Sequence, residues 1–217
     1  VRNMQEAAKT VEKEYNGKLP EDFEALLSLK GIGSYTAGAI ASIAYGIPVP
    51  AVDGNVLRVI SRITENREDI GKAAVKRKTE KLLEEIMPED RPGDFNQALM
   101  ELGAVICIPN GQAKCLVCPV SGKCLANRNH TVEEIPVKAP KKPRVVEERT
   151  VFVIQDGAAT AILKRPDKGL LAGLYELPNT LGYMEQEEAV SYVKNMGLEP
   201  LYIKPLPSAK HIFSHIE

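Results

Sequence analysis

The sequence lacks an excess of either charge, a long apolar run and, outside one short stretch, any cysteine. Lys and Arg number 28 against 29 Asp and Glu in 217 residues. No overall field therefore favours nucleic acid or a membrane, and any DNA binding must come from local features. No apolar run is long enough to cross a bilayer, and the first residues lack the pattern of a signal peptide. We expect a cytoplasmic, reducing compartment and no membrane partner, so that grouped thiols are more often metal ligands or catalysts than disulfides.

The chain divides into parts of different periodicity. Residues 1–130 show apolar positions at helical spacing, broken by Gly and Pro, which predicts a mainly α-helical domain. Residues 131–148 combine three prolines with several Lys and Arg, which is typical of an extended linker. Residues 149–217 alternate and are rich in β-branched residues at first, so we expect a smaller α/β domain there.

Local signals predict individual elements. In the helical part, Asp94 followed by Gln97 resembles a capping box that opens the helix leading to the cysteines. In the second domain, Asp156 and Gly157 predict the turn of a hairpin. A short amphipathic helix should end at Gly197, and residues 201–207 resemble another strand.

All four cysteines fall within 18 residues, with the spacing C-x7-C-x2-C-x5-C. A structural zinc site usually shows two tight pairs, or one pair with a later His pair, whereas only the middle two cysteines form a tight pair here. One tight pair with looser outer ligands suits a cuboidal iron–sulfur cluster, which needs thiolates at four corners. From the cysteines alone a cluster is favoured, and a zinc site and free buried thiols stay open. The four candidate ligands are Cys107, Cys115, Cys118 and Cys124.

The stretch LKGIGSYTAGAIA places two glycines between an apolar helix and a helix rich in small residues. Gly31 and Gly33 allow a tight hairpin whose backbone N–H groups approach an anion closely. The helix that begins near Ser34 turns its N-terminus the same way, so a DNA phosphate is a candidate ligand. An ordinary helix–turn–helix corner is the alternative, because a Gly-x-Gly pair alone is weak evidence.

An aspartate precedes another predicted helix in VPAVDGNVLRVISR, and this Asp53 is in the position of an N-cap. A carboxylate held ionised at a helix N-terminus could also stabilise a cation that develops on a sugar, and the two roles are compatible. Arg58 and Arg62 share one face of this helix, either as phosphate ligands or as ordinary solvated charges. The apolar face of the helix consists of Val56, Val59, Ile60 and Ile63.

Taken in order, LKGIGSYT, VDGNVLRV and FNQALMELGAVIC before the cysteine loop resemble the endonuclease III-like superfamily of helix–hairpin–helix DNA glycosylases. TAGAIAS, VDGNV and FNQALMELGA are similar to its adenine DNA glycosylase branch. GLLAGLYELP and KHIFSH resemble that branch's C-terminal domain, which has a Nudix-like fold. The resemblance covers essentially the whole chain. It implies a [4Fe–4S] cluster on the four cysteines and removal of adenine mispaired with 8-oxoguanine or guanine in double-stranded DNA.

The resemblance also assigns roles to single residues. Asp53 would stabilise, or briefly capture, the oxocarbenium-like sugar as its bond to adenine breaks. Bifunctional relatives carry a Schiff-base Lys two residues after the second hairpin glycine, where this chain has Tyr35, so strand cleavage is not expected. The residues predicted to bind DNA are Gly31, Gly33, Ser34, Arg58, Lys114 and Lys123.

The sequence departs from the family pattern in places. Seven residues separate the first two cysteines where the family has six, and Lys30 stands where Pro is common before the hairpin. The family's Glu that protonates adenine lies upstream of the matched region, and Glu6, Glu12 and Glu14 match nothing in its motif. We therefore expect this chain, as given, to bind DNA without excising adenine at an enzymatic rate.

In the second domain, Phe213, Ser214 and His215 match the family's Phe-Ser-His loop, which contacts 8-oxoguanine. A buried strand end is the alternative. Glu187 and Glu188 lie in the region of the Nudix box, but the Arg-Glu-x-x-Glu-Glu core that holds Mg²⁺ is absent from the sequence. We expect this domain to recognise a base and not to hydrolyse pyrophosphate.

The sequence thus predicts an adenine-specific, monofunctional DNA glycosylase that acts as a monomer. The alternative from another class is a non-catalytic DNA-binding iron–sulfur module, in which the cluster and hairpin serve only for docking. A Nudix-type hydrolase fused to a zinc domain is a third candidate, which the absent box disfavours.

Overall fold

The computed structural model describes residues 1–140, 143–214 and 216–217. The chain forms two compact units, Val1–Pro140 and Lys141–Glu217. The first is mainly α-helical and the second combines short antiparallel strands with a helix, as the sequence predicts. None of the helices formed by the described residues has the length and apolar composition needed to cross a membrane.

Seven α-helices and three shorter helical turns build the first unit, counted over its described residues. The α-helices are α1 (Arg2–Glu14), α2 (Phe23–Ser28), α3 (Ser34–Tyr45), α4 (Gly54–Thr64), α5 (Ala73–Ile86), α6 (Pro92–Glu101) and α7 (Leu125–Arg128). A π-helical turn (Leu102–Ile106) continues α6 directly, and two 3₁₀ turns follow (Cys115–Val117 and Ser121–Lys123). The path of α6 therefore ends at the first cysteine of the cysteine-rich stretch.

The turn between α2 and α3 is a tight hairpin. Helix α2 is capped by Asp22, whose Oδ1 accepts the Ala25 N–H at 2.8 Å. Gly31 has φ +88°, which L-residues with a side chain rarely adopt, and a Cβ there would lie 2.7 Å from the Asn3 Cβ. Both the backbone conformation and the contact with α1 therefore require glycine at position 31.

Three apolar clusters hold the helical unit together among its described residues, and α4 contributes to the largest of them. The first cluster contains Val11, Leu26, Leu29, Ala37 and Ala41. The second and largest contains Val52, Val56, Leu57, Ile60, Ile70, Val75 and Leu83, and a third contains Cys124, Ala126 and Ile135. Helix α3 approaches the chain before α4 closely, since a Cβ at Gly38 would lie 2.6 Å from the Pro50 carbonyl oxygen.

Helix α6 begins three residues earlier than its sequence predicts, with Arg91 and not Asp94 as its N-cap residue. Its first residue is Pro92, whose fixed φ suits that position, and the preceding Arg91 makes no side-chain cap bond. Asp94 lies within the first turn and pairs with Arg91 at 2.6 Å. The predicted capping box was therefore wrong, although the carboxylate still lies at the positive end of the helix dipole.

A buried amide links α6 to α3 and to the chain that leads into α4. The Asn96 Oδ1 accepts the Ala51 N–H at 3.0 Å. Its Nδ2 donates to the Ser42 Oγ at 2.8 Å and to the Val49 carbonyl at 2.9 Å. Because a buried amide that lost these partners would be costly, this network fixes the residues just before Asp53.

The segment predicted to be a linker begins with packed residues. Ile135 is 1% exposed and packs with Cys124 and Ala126. The Ile70 N–H donates to the Val137 carbonyl at 3.1 Å. At least the first part of residues 131–148 therefore belongs to the helical unit.

The second unit contains three antiparallel strand pairs among its described residues. The pairs are β1 (Arg149–Val151) with β6 (Asn179–Leu181), β2 (Gln155–Asp156) with β3 (Ala159–Thr160), and β4 (Leu163–Lys164) with β5 (Tyr175–Glu176). Pair β2–β3 is the predicted hairpin, with Gly157 at φ +55° in its turn. The predicted short helix is α8 (Gln186–Asn195).

Residues 201–207, all of which the structure describes, form no strand. The strand prediction was therefore wrong. Pro205 and Pro207 remove two backbone N–H donors from this stretch, which limits its pairing with another strand.

Candidate active site and cysteine pocket

The hairpin presents the start of α3 at the surface. Gly33 is the exposed N-cap residue of α3, and no described side chain caps this helix end. The Lys76 Nζ, on α5, donates to the Ser34 Oγ at 2.7 Å, which brings a positive charge to the same helix end. The predicted residues Gly31, Gly33 and Ser34 thus lie together with a lysine that sequence reasoning missed. An exposed helix N-terminus beside a lysine is a favourable place for a phosphate.

Asp53 is the N-cap of α4, as predicted. Its Oδ1 accepts the backbone N–H groups of Asn55 at 2.9 Å and Val56 at 2.8 Å, and its Oδ2 accepts the Asn55 Nδ2 at 3.0 Å. These three donors hold the carboxylate in a fixed orientation at the positive end of the helix dipole. The side chain is half-buried, so it remains partly accessible from solution.

Tyr35, the other predicted catalytic residue, lies close enough to Asp53 to be affected by its charge. Burial raises the pKa of the Tyr35 phenol above its ordinary value, and the negative charge of Asp53 raises it further. The phenol therefore stays protonated at neutral pH and can act as a donor. In this structure its hydroxyl donates to the Met100 Sδ at 3.6 Å.

Arg58 lies in the interior and not at a DNA-facing surface. It is 4% exposed, and its Nε donates to the Cys107 carbonyl at 2.8 Å. Its Nη2 donates to the Gly103 carbonyl at 2.8 Å and to the Asn55 Oδ1 at 3.0 Å. The prediction that Arg58 binds a phosphate is therefore corrected: the side chain is buried, and three of its N–H groups donate to internal acceptors that link Asn55 to the chain around the first cysteine.

The four cysteines line one pocket in the helical unit. Cys107 follows the π-helical turn, Cys115 and Cys118 flank the first 3₁₀ turn, and Cys124 precedes α7. The walls between them are mostly apolar, and the larger apolar residues are Val59, Ile63, Leu102, Ile106, Val120 and Val132. Burial raises the pKa of the Cys115 thiol, and the other three cysteines raise it further through their charges.

One charged donor reaches the sulfurs. The Arg62 Nη1 donates to the Cys107 Sγ at 3.2 Å, and the Cys124 thiol donates to the Arg62 carbonyl at 3.3 Å. Within the described residues, no three Cys, His, Asp or Glu side chains are close enough together to hold a single metal ion. The pocket is largely apolar, four thiols surround it, and a cationic N–H donates to one sulfur. This donor set suits a metal-containing group bound through thiolates.

Lys114 and Lys123 lie exposed on either side of the tight cysteine pair, in the same loop. The Lys114 N–H donates to the Ile106 carbonyl at 3.0 Å, which fixes the backbone of the longer first spacing. Their positions leave both ammonium groups accessible to phosphates, as the prediction requires.

Phe213 and Ser214 of the Phe-Ser-His stretch lie in the second unit. The Phe213 N–H donates to the Ile216 carbonyl at 2.8 Å, and the Arg144 Nε donates to the Phe213 carbonyl at 3.0 Å. The Phe213 ring is half-buried against His211, with ring centroids 4.5 Å apart, and Ser214 is exposed. His215 lies outside the described residues. Phe213 and Ser214 belong to no strand and Ser214 is exposed, so the described part is not a buried strand end.

Two family models match parts of the chain. The model described as "NUDIX domain" matches residues 150–217, and the "Helix-hairpin-helix motif" matches residues 14–43. An adenine DNA glycosylase of Arabidopsis thaliana is 41% identical over 202 residues, which cover 87% of this chain and 32% of that protein. The adenine DNA glycosylase of Homo sapiens is 32% identical, over 100% of this chain and 49% of its own length. The chain therefore spans half or less of these two relatives.

Solved structures of DNA repair enzymes match part of the chain. A thermostable thymine-DNA glycosylase superposes with a TM-score of 0.51 at 32% identity, covering 59% of this chain and 58% of that one. Endonuclease III trapped in a covalent intermediate with DNA gives 0.50 at 29% identity, with the same coverage. The hairpin, the aspartate-capped helix, the cysteine pocket and these matches identify the chain as a homologue of the adenine DNA glycosylases, with an endonuclease III-like helical part followed by a Nudix-like domain.

Proposed function

We propose that this chain is part of an adenine DNA glycosylase that hydrolyses the bond between adenine and deoxyribose in adenine:8-oxoguanine or adenine:guanine pairs. The observation that carries the proposal is the Asp53 carboxylate, held by three N–H donors at the N-terminus of α4 and next to Tyr35. The names of its relatives supply the base that is removed. The substrate is double-stranded DNA, and the protein acts as a monomer.

The carboxylate suits the chemistry of this reaction. Positive charge builds on the sugar as the bond to a flipped adenine breaks, in the manner of glycoside hydrolysis. An anion that is already oriented by Asn55 and Val56 stabilises this charge without reorganising. Tyr35 occupies the position of the lyase Lys, and a phenol cannot form an imine, so the enzyme leaves the strand intact.

The departing adenine needs a proton, and the described chain offers poor candidates for the acid. The Glu6 carboxylate is paired with the Lys30 Nζ at 2.6 Å, which lowers its pKa and keeps it ionised near neutrality. Glu12 and Glu14 are exposed on α1. General acid catalysis is typically worth about 10²–10⁴-fold. We therefore propose that this chain alone binds DNA but excises adenine far below an enzymatic rate.

A [4Fe–4S] cluster is the group that the cysteine pocket would hold. Cys107, Cys115, Cys118 and Cys124 supply the four thiolates that such a cluster needs, all facing one pocket. When bound, the cluster would cross-link the end of the π-helical turn to the cysteine loop. It would also bring Lys114 and Lys123 to a fixed surface for contacts with phosphate.

The Nudix-like unit would recognise the base opposite adenine, with the exposed Ser214 as a hydrogen-bonding residue. The Glu188 side chain accepts the Glu185 N–H at 3.0 Å in a helix cap, which is a structural use and not one of metal binding. Ser214→Ala should reduce the preference for 8-oxoguanine over guanine by about 1–3 kcal/mol in binding. Ser208→Ala, at another exposed serine of the same unit, is the control. An equal loss in both variants would contradict the assignment.

The rival function is that of a DNA-docking module without catalysis, which would not need the negative charge of Asp53. A duplex with a cationic pyrrolidine ring in place of the adenosine sugar imitates the charge that develops during cleavage. This chain should bind that duplex at least about tenfold more tightly than one with a neutral tetrahydrofuran ring, because of the carboxylate charge. The preference should disappear in Asp53→Asn. A docking module would show no preference, and that outcome would reject the glycosylase proposal.

A single-turnover assay on an adenine:8-oxoguanine duplex then tests whether this chain supplies the acid that protonates the departing adenine. We expect this chain to bind the duplex and to release adenine only slowly. Fast release that depends on Asp53 would show that one of Glu6, Glu12 and Glu14 supplies the proton after all.

A further inference from the structure

Arg62 is a buried arginine whose contacts converge on the first cysteine. It lies one turn after Arg58 on α4 and is 5% exposed. Its Nη1 donates to the Cys107 Sγ at 3.2 Å and to the Ile108 carbonyl at 3.1 Å, and its Nε donates to the Ile135 carbonyl at 2.7 Å. One guanidinium thus binds a sulfur and two backbone carbonyls.

We propose that Arg62 is a positioning residue for the cysteine-bound group, one that raises its reduction potential and slows its release. The inference rests on the proposed cluster. It goes beyond that proposal because it assigns both properties to one residue outside the ligand set.

The first argument is electrostatic. A cysteine must be deprotonated to bind a metal, so of the three acceptors around Arg62 the Cys107 sulfur is the one that becomes an anion. A cationic N–H donor next to a ligating sulfur stabilises the more negative, reduced form of a cluster more than the oxidised form. Hydrogen bonds to sulfur and net charge are among the factors that set such potentials. Loss of the guanidinium should therefore lower the potential.

The second argument is mechanical. Ile108 begins the loop after the first cysteine, and Ile135 follows α7 and packs against Cys124, the last cysteine. Arg62 therefore ties both ends of the cysteine-containing stretch to α4, while the Cys124 thiol lies 3.3 Å from the Arg62 carbonyl. Opening the pocket at either end would require breaking a hydrogen bond to this residue.

Arg58 provides a matched control because it is buried on the same helix but does not touch a sulfur. Its Nε donates to the Cys107 carbonyl, 2.8 Å away, and its Nη2 to the Gly103 carbonyl. A change at Arg58 removes a buried guanidinium and a contact to the same cysteine residue. It leaves the charged contact with the sulfur in place.

The experiment compares Arg62→Met, Arg62→Gln and Arg62→Lys with Arg58→Lys and the unaltered chain, all prepared anaerobically. Iron and sulfide contents come first, then the midpoint potential by voltammetry and the rate of iron release to a chelator. Arg62→Met and Arg62→Gln should lower the reduction equilibrium constant at least about tenfold, which is about 59 mV for one electron. Arg62→Lys keeps the positive charge but loses the several fixed N–H donors of the guanidinium. Its potential should therefore change less than in the neutral variants, while iron release is still faster than in the unaltered chain.

Distinct outcomes separate the inference from the cofactor proposal. Unaltered protein that carries zinc, or no metal, would refute the cluster and the inference with it. Unaltered protein with a cluster, but with equal potentials in Arg62→Met, Arg62→Gln and the parent, would refute the inference alone. So would an equal shift in Arg58→Lys. If Arg62→Met retains no cluster while Arg58→Lys does, the retention part is supported, and Arg62→Gln and Arg62→Lys supply the potentials.

Discussion

Replacing Asp53 separates its capping role from its charge. In Asp53→Asn the Oδ1 still accepts the backbone N–H groups of Asn55 and Val56, because asparagine caps helices about as well as aspartate. The new amide nitrogen then faces the Asn55 Nδ2, where two donors oppose each other. Asn55 cannot simply turn its amide over, since its Oδ1 already accepts from Arg58 at 3.0 Å.

The magnitudes follow from these contacts. Asp53→Asn loses one hydrogen bond, about 1 kcal/mol, and a charge–dipole interaction of about 0.3–1 kcal/mol. Asp53→Ala loses these and the cap itself, which contributes about 0.5–2 kcal/mol. We therefore expect the free energy of unfolding to fall by about 1–2 kcal/mol in Asp53→Asn and by about 2–4 kcal/mol in Asp53→Ala. The preference for the cationic duplex should disappear in both.

The assay pairs chemical denaturation, followed by helical circular dichroism, with the duplex-binding comparison. Asp22 is the matched control, because it caps α2 through one exposed bond to the Ala25 N–H and lies outside the proposed site. Asp22→Ala should cost about 1 kcal/mol and leave the preference for the cationic duplex intact.

Two results would refute this reasoning. Equal stability losses in Asp53→Asn and Asp53→Ala would show that Asp53 does not stabilise the chain through the hydrogen bonds it accepts from the backbone N–H groups. A preference for the cationic duplex that survives in Asp53→Asn would show that the anion facing the sugar is another group.

Three further expectations concern DNA contacts and chemistry. Gly31→Ala should weaken duplex binding and lower the free energy of unfolding by more than about 1–2 kcal/mol. Gly46→Ala, at φ +66° with open space around it, should cost only the backbone strain. Equal effects of the two substitutions would contradict the contact between Gly31 and α1. Lys114→Ala and Lys123→Ala should each reduce the slope of log affinity against log salt by about 0.9, and unchanged slopes would exclude them as phosphate ligands. Tyr35→Lys should allow borohydride to trap a protein–DNA adduct on a duplex that already carries an abasic site, and trapping of the unaltered chain through position 35 would disprove the monofunctional assignment.

Features that depend only on residues close together along the chain could be predicted from the sequence. The hairpin at Gly31, the N-cap at Asp53 and the turn at Gly157 each follow from the conformational or hydrogen-bonding preference of one residue type. The capping box at Asp94 was wrong because Pro92 is an equally strong local signal that starts the helix earlier. Lys76 was missed because its partner, Ser34, is 42 residues away and neither belongs to a recognisable pair motif.

The two arginines of α4 show why the rest of the site could not be predicted in this way. Arg58 and Arg62 have the four-residue spacing of charges on a solvated helix face, yet residues 56–62 are all buried. What distinguishes a buried arginine is its acceptors, and those of Arg58 and Arg62 include backbone carbonyls 45 to 73 residues away along the chain. Every residue carries a carbonyl, so no pattern of side chains can identify which one is used. The interior role of an arginine becomes visible only when the fold brings its helix against backbone carbonyls, as it does here at Gly103, Cys107 and Ile135.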